Sequence, residues 1–139
     1  MQKIKIVLDE GAKVTRAHEW DGGLDLYARE DATIFRHGSY TFDTGVHAAI
    51  EKGYCGLLVS KSGLNVNSGL QSTGLIDAGY TGSIRVKLYN HGSGMVHIKK
   101  GQKISQLVLL PIITPDLELV DSLEETERGN GGFGSSGAF

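Results

Sequence analysis

The chain has 139 residues, of which 40% are hydrophobic, and its 14 Lys or Arg against 16 Asp or Glu give a formal net charge of −2. The hydrophobic content excludes a globally disordered chain. The near balance of charges argues against a nucleic-acid partner or a basic membrane-binding surface. The single cysteine, Cys55, excludes an internal disulfide framework and a multi-cysteine zinc site, so a reducing, cytoplasmic setting is expected.

Polar and apolar residues alternate with a period of two along most of the chain, which predicts β-strands. In chain order the predicted strands are residues 3–8, 39–42, 45–50, 54–59, 84–88, 95–98 and 104–113. No window of about a dozen residues carries a helical stripe, and the longest apolar run, 107–113, is too short to cross a membrane. Short strands at this spacing predict an all-β fold, as an antiparallel sandwich or barrel.

The end of the chain differs in composition from the rest. Residues 115–127 carry six acidic and no basic side chains, and residues 128–137 contain five glycines. Such a segment cannot build its own core. We therefore predict a folded core over residues 1–114 and an arm with a glycine-rich flap over residues 115–139. The flap is either a frayed tail or a mobile segment that orders on a ligand, because one Arg, one Phe and free backbone amides would suit a bound anion.

Familiar catalytic patterns are absent from the sequence. The five histidines have no metal-ligand spacing, and neither a phosphate-binding P-loop nor a G-x-S-x-G nucleophile elbow occurs. Catalysis would therefore depend on Asp, Tyr, Ser, basic residues and backbone amides.

Two segments carry more functional groups than simple strand connections need. Residues 60–64 (SKSGL) place a base, a hydroxyl and a glycine in series, which suits an anion but also an ordinary hairpin turn. Residues 74–82 (GLIDAGYTG) place Asp77 after an apolar triplet and Tyr80 between glycines. Asp77 is a candidate base or a turn-capping acid, and Tyr80 is a candidate ligand contact or a ring at the edge of the core.

Five motifs in order resemble those of the trimeric dUTP pyrophosphatases (dUTPases). They are GLDLYA at 23–28, KSGL at 61–64, GLIDAGYTG at 74–82, GQKISQL at 101–107 and RGNGGFGSSG at 128–137. The resemblance implies a β jelly-roll, a distorted barrel, that forms a homotrimer with a swapped C-terminal tail. It also implies Mg²⁺-dependent hydrolysis of dUTP to dUMP and pyrophosphate, which keeps dUTP low and supplies dUMP for thymidylate synthesis.

The resemblance assigns roles at the reacting end of the nucleotide. Asp77 corresponds to the acid that orients and activates a water for attack on the α-phosphorus. Tyr80 corresponds to the ring that packs under the deoxyribose and excludes a ribose hydroxyl. Asp25 corresponds to the acid that holds Mg²⁺ through metal-bound water. The uracil would be bound mainly by backbone groups of the hairpin before Asp77.

The remaining substrate-binding residues follow from the same motifs. They are Lys61, Ser62, Gly63 and Gln106 for the phosphates, Gln71, Gly74 and Ile76 in or beside the hairpin, and Arg128, Phe133, Gly134, Ser135 and Ser136 in the tail. Phe133 would stack on uracil, while Arg128 and the serines would bind the β- and γ-phosphates. The chain departs from the family in having Lys61 for Arg, Gln71 for Asn and Ser136 for Thr.

Alternatives remain at this point. A dCTP deaminase shares the fold, but Lys87 lies where its glutamate would be expected. A regulatory module that binds dUTP and a protein partner is a second alternative, above all if the chain is phage-encoded. Trp20, beside the first motif, is expected to pack against it, and Cys55 is expected to be inert in the core.

Overall fold

The computed structural model describes residues 3–139, which form twelve short strands and one helix. In chain order the elements are β1 Lys5–Leu8, β2 Val14–Thr15, β3 Gly23–Tyr27, β4 Ala32–Ile34, β5 Ser39–Asp43, β6 Val46–Ala49, β7 Tyr54–Ser60, α1 Ser62–Ser68, β8 Leu70–Gln71, β9 Thr73–Ile76, β10 Arg85–Asn90, β11 Val96–Ile98 and β12 Lys103–Pro111. Across this part of the chain, no helix is both long and apolar enough to cross a membrane.

The strands form antiparallel sheets around one core, which confirms the expected all-β jelly-roll. The largest sheet has the order β2-β3-β12-β7-β9, and a three-stranded sheet has the order β5-β10-β8. Two smaller pairs, β1-β6 and β4-β11, complete the architecture. The buried cluster draws Leu26, Leu58 and Leu107 from the larger sheet and Phe42 and Val86 from the smaller one, so the core lies between them.

Strand β10 shows why the period of two was informative. Its residues alternate between exposed and buried, with Val86 and Leu88 in the core and Arg85 and Lys87 outside. This pattern is what a strand with one solvated face requires. The predicted strands are found within a few residues of their expected bounds. The pattern does not predict β2, β3 and β4, which have two to five residues each, and residues of β8 and β9 were expected only as a hairpin implied by the resemblance.

The helix α1 lies where the sequence left an anion-binding segment or a hairpin turn open. It has seven residues, too few to give a visible helical period, and none of its residues is buried. Gly69 ends it in the left-handed region, with φ of 68°, and its amide bonds back to Asn65 O at 3.0 Å.

The packing role expected of Trp20 is wrong, because the ring is 91% exposed. Residues 18–21 close a tight turn in which the His18 amide donates to Asp21 Oδ2 at 2.9 Å and the Asp21 amide donates to His18 O at 3.1 Å. The turn projects the indole outward. Cys55 is 4% exposed in β7, which confirms its expected place in the core.

Candidate functional site

Asp25 is a buried carboxylate held between two lysines. It lies in β3 with 3% of its surface exposed. Lys61 Nζ donates to Oδ1 at 2.7 Å, and Lys103 Nζ donates to Oδ2 at 2.8 Å. Burial alone would raise the pKa of Asp25, but the hydrogen bonds from Lys103 and Lys61 outweigh it and hold the pKa below the ordinary value. The carboxylate is therefore ionised at neutral pH.

Strand register places Gln106 beside Asp25. Within β12, Gln106 pairs with Asp25 on one side and with Val59 on the other. Its side-chain amide donates to Ser60 O at 3.1 Å. Gly23 makes room for it, because a Cβ at that position would collide with the Gln106 side chain. The first, second and fourth motifs thus meet at one end of the large sheet.

The first turn of α1 adds exposed donors beside Lys61. Ser62 and Gly63 are both exposed, and the first backbone bond of the helix runs from Asn65 N to Lys61 O at 2.9 Å. The amides of Ser62 and Gly63 precede that bond, so they have no acceptor inside the helix. A hydroxyl, two amides and an ammonium are consequently available to an anion here.

The hairpin expected before Asp77 is wrong for residues 70–74, because β8 pairs with β10 and β9 pairs with β7. The chain instead passes from one sheet to the other at Ser72, which anchors the bend. The Ser72 hydroxyl is 2.8 Å from that of Ser105, and the Ser72 amide donates to Ser60 Oγ at 3.0 Å. Gln71 is exposed, and its Oε1 lies 3.0 Å from His91 Nε2. Gly74 pairs with Leu58, so a side chain there would press on the leucine, 3.2 Å from its Cδ1.

Asp77 and Tyr80 share the turn that follows β9. The Asp77 side chain is exposed, and the Tyr80 amide donates to Asp77 O at 3.2 Å. The Tyr80 hydroxyl donates to Ser83 O at 3.0 Å, which lays the ring across Gly82. A Cβ at Gly82 would overlap the ring, 2.6 Å from Cζ. With 45% of Tyr80 exposed, the turn presents an acid and an aromatic face together.

A single chain does not bring these two groups of residues together. Ile76, next to Asp77, pairs with Gly56 in β7, and Lys61 lies five residues farther along the same strand direction. At the usual rise per residue, that offset is about 17 Å. The lysine-flanked Asp25 and the Asp77 turn therefore lie at opposite ends of the sheet.

The C-terminal arm and tail are also apart from both groups. Leu117, Leu119 and Leu123 are 90%, 95% and 87% exposed, and the Phe133 ring is fully exposed. Arg128 Nε donates to Gly131 O at 2.7 Å, and Ser135 and Ser136 are exposed. For residues 115–139, every hydrogen bond found in the described chain is internal to the tail.

Within residues 3–139, no three His, Cys, Asp or Glu side chains come together as a metal site. Asp25 is a single carboxylate, and both of its oxygens already accept from lysines. Its donor set fits contact with metal-bound water, not direct ligation.

Two contacts near the candidate site do not follow from the sequence motifs. The resemblance gives Lys103, in the fourth motif, no role, and its contact with Asp25 depends on strand register that the sequence does not show. His47 was noted only for its lack of metal-ligand spacing, and its bond to the Thr81 carbonyl depends on long-range packing.

Comparison with known proteins shows which proteins the chain is similar to. A family model described as dUTPase matches residues 9–137. The deoxyuridine 5'-triphosphate nucleotidohydrolase of Clostridium tetani is 37% identical over 138 residues, covering 97% of this chain and 95% of that protein.

Solved structures give the same result. The dUTPase of Staphylococcus bacteriophage 80alpha, determined with dUPNHPP, superposes with a TM-score of 0.91 at 32% identity and covers 99% of both chains. A mutant dUTPase from phage phi11 of S. aureus, described as revealing the coordination of a structural Mg(II) ion, has a TM-score of 0.80 at 30% identity. That match covers 88% of this chain and 99% of the phage chain.

Proposed function

The chain belongs to the dUTPase family and is a dUTP diphosphatase, and we propose that Asp77 activates the water that attacks the α-phosphorus. The observation that carries the proposal is the Asp77 turn. An exposed carboxylate stands three residues from an aromatic ring, so one rigid element offers a base and a sugar platform. A carboxylate within hydrogen-bond reach of water is sufficient for general base catalysis.

We propose that each site is assembled between chains of a homotrimer. The offset of about 17 Å between the Asp77 turn and Lys61, which bonds to Asp25, supports this assembly, because one chain supplies only part of a site. One chain would contribute Asp77 and Tyr80, a second would contribute Asp25, Lys61 and Gln106, and a third would contribute the tail. The exposed leucines of the arm fit burial against a neighbouring chain.

The Asp77 turn and the segment before it, residues 70–76, would select the nucleoside. The Tyr80 ring under the sugar leaves no volume for a 2′-hydroxyl, which is exclusion by shape. Backbone groups around Gly74 and Ile76, in the edge strand β9, would pair with uracil, with Gln71 in β8 beside them. Phe133 of the tail would stack on the base from the other side.

The end of the sheet that carries Asp25 would bind the triphosphate together with the tail. Ser62, Gly63 and Gln106 would donate to phosphate oxygens. Lys61 has three N–H donors, so it can keep its bond to Asp25 and also bind phosphate. Arg128, with Gly134, Ser135 and Ser136, would close over the β- and γ-phosphates and exclude bulk water.

Mg²⁺ is the proposed cofactor. Bound to the triphosphate, it would neutralise charge as pyrophosphate leaves. Asp25 would hold waters of its coordination sphere, which suits an ion that dehydrates reluctantly. The two lysines keep Asp25 ionised for this contact, and the Mg(II) described for the phage phi11 relative supports a divalent ion in this fold.

The test is pyrophosphate release from dUTP, dCTP, dTTP and UTP with Mg²⁺. We expect turnover of dUTP alone, loss of that turnover when EDTA removes the metal, and recovery when Mg²⁺ is restored in excess. Turnover that is unchanged in EDTA would contradict the metal requirement. Hydrolysis of UTP at a comparable rate would contradict the role of Tyr80, and uracil nucleotides formed from dCTP would indicate a deaminase.

Lys61 gives a second test of the phosphate contacts. Lys61→Met removes a charge and its hydrogen bonds, and we expect kcat/KM for dUTP to fall about 10²-fold, as for loss of a charged hydrogen bond in a desolvated site. Lys61→Arg keeps the charge and restores the planar fork of the family, so it should retain activity. Lys99→Met, at an exposed lysine, is the control. Equal activity of Lys61→Met and the control would remove Lys61 from the site.

A regulatory role is a second candidate, because the structural neighbours include phage dUTPases described as controlling the transfer of virulence genes. Such a role needs nucleotide binding but not turnover. Tight binding of dUTP without pyrophosphate release would favour it over catalysis.

A further inference from the structure

Both ring nitrogens of His47, in β6, lie against oxygens that can only accept. Nδ1 is 2.7 Å from Thr81 O, a backbone carbonyl, and Nε2 is 3.1 Å from Asp9 Oδ1, a carboxylate. Each contact requires an N–H on the ring. A neutral imidazole has only one N–H, whereas the imidazolium has two. The protonated ring is therefore the form that makes both bonds.

The bond to Thr81 reaches the turn that carries Tyr80. The two ends of this turn are tied to neighbouring backbone, by Gly79 N to Ile50 O at 3.4 Å and by Ile84 N to Val46 O at 2.9 Å. Thr81 lies between these ties and directly follows Tyr80 in the chain. The His47 ring thus braces the exposed tip of the turn, where the Tyr80 ring would meet the sugar.

We propose that His47 is a positioning residue that sets the Tyr80 turn for nucleotide binding, and that it does so fully only while its ring is protonated. This inference rests on the proposed function, since the contact of Tyr80 with the deoxyribose is part of that function.

The charged groups around His47 favour the protonated ring. Lys5, in β1, lines the same open groove of about 290 Å³ as His47. Asp9, the residue that follows β1, bonds to the ring. From the end of β5 comes Asp43, whose charge also favours the imidazolium. The Tyr80 turn adds the Thr81 carbonyl. Arg29 lies 3.8 Å from Asp43 and offsets its charge, so the Thr81 carbonyl and Asp9, which bond to the ring directly, favour the imidazolium most.

The pH dependence follows from these groups. The bond to the Thr81 carbonyl, followed by the one to Asp9, raises the pKa of His47 above its ordinary value. A group whose pKa is raised by folding stabilises the folded arrangement fully below its ordinary pKa of about 6.5, and this contribution is lost as pH rises through the folded-state pKa. The side chain is 27% exposed, so its proton exchanges freely with water.

The kinetic test compares the full chain with His47→Gln between pH 6 and 9. We expect His47→Gln to raise KM for dUTP about fivefold at pH 6.5, as for loss of one hydrogen bond, with kcat nearly unchanged. The KM of the parent should rise with pH across this range, and that of His47→Gln should not. The control is His97→Gln, which removes a histidine bonded to Thr33 Oγ1 at 2.8 Å, away from the turn. A parental KM profile in His47→Gln would overturn the proposal.

The second test reads the ring directly, by NMR titration of the histidine side chains in the intact protein. His47 should titrate above about 6.5, and Asp9→Asn, which keeps the bond to Thr81 but removes the carboxylate, should lower its midpoint. A midpoint at or below 6.5 in the parent would overturn the proposal. The titration needs no turnover, so a failure of the proposed function would show only in the assay. Normal dUTP hydrolysis with an unshifted His47 would overturn this inference alone.

Discussion

Asp77→Asn is expected to lower kcat for dUTP by about 10³-fold, within the range found for loss of a general base. The amide keeps the size of the side chain but cannot take a proton from the attacking water. Asp77 is exposed at the end of β9 and forms no ion pair in the described chain, so the substitution should leave the fold unchanged. Binding of a non-hydrolysable dUTP analogue should change little.

The measurement is single-turnover hydrolysis beside analogue binding by calorimetry. Glu51→Gln is the matched control, because it makes the same charge change at an exposed carboxylate in another turn. Near-parental turnover in Asp77→Asn would exclude Asp77 as the base. Loss of binding together with turnover would indicate that Asp77 holds substrate and does not activate water.

The fold was largely predictable because its strands carry a local signal. Arg85, Val86, Lys87 and Leu88 alternate so regularly that β10 follows from the sequence alone. The helix α1 has no such signal, since it lies on the surface and buries none of its residues. Trp20 shows the limit for side chains, because a local turn closed by His18 and Asp21 decides where its ring points.

The residues of the candidate site are recognisable in the sequence as motifs, but their arrangement is not. Asp25, Lys61 and Lys103 lie far apart in sequence, and only the register of β3 and β12 and the end of β7 bring them together. Register depends on the whole sheet, so the sequence could not pair Lys103 with Asp25. The same register separates Asp77 from Lys61, which motif order alone gives no reason to expect.

Ending the chain after Glu127 is expected to lower kcat/KM for dUTP by about 10²-fold or more, since Arg128 and Phe133 would supply charge and stacking on the closed substrate. The melting temperature should stay close to that of the parent, because the tail is exposed and its hydrogen bonds in the described chain are internal. A chain ending after Gly137 keeps the whole fifth motif and is the control. Equal activity of the two truncated chains would show that the motif plays no part.

Mixing the chain that ends at Glu127 with Asp77→Asn tests whether a site is shared. Each variant alone lacks one required group, but a mixed trimer can pair an intact Asp77 from the truncated chain with a tail from the other. If Asp77 and the tail of one site come from different chains, about a quarter of the sites formed by random 1:1 assembly contain both groups. The activity should then return to about a quarter of the parental activity. If both come from one chain, no mixture has a complete site. Mixed trimers, verified by two affinity tags, that stay inactive would therefore rule out a site to which one chain gives Asp77 and another gives the tail.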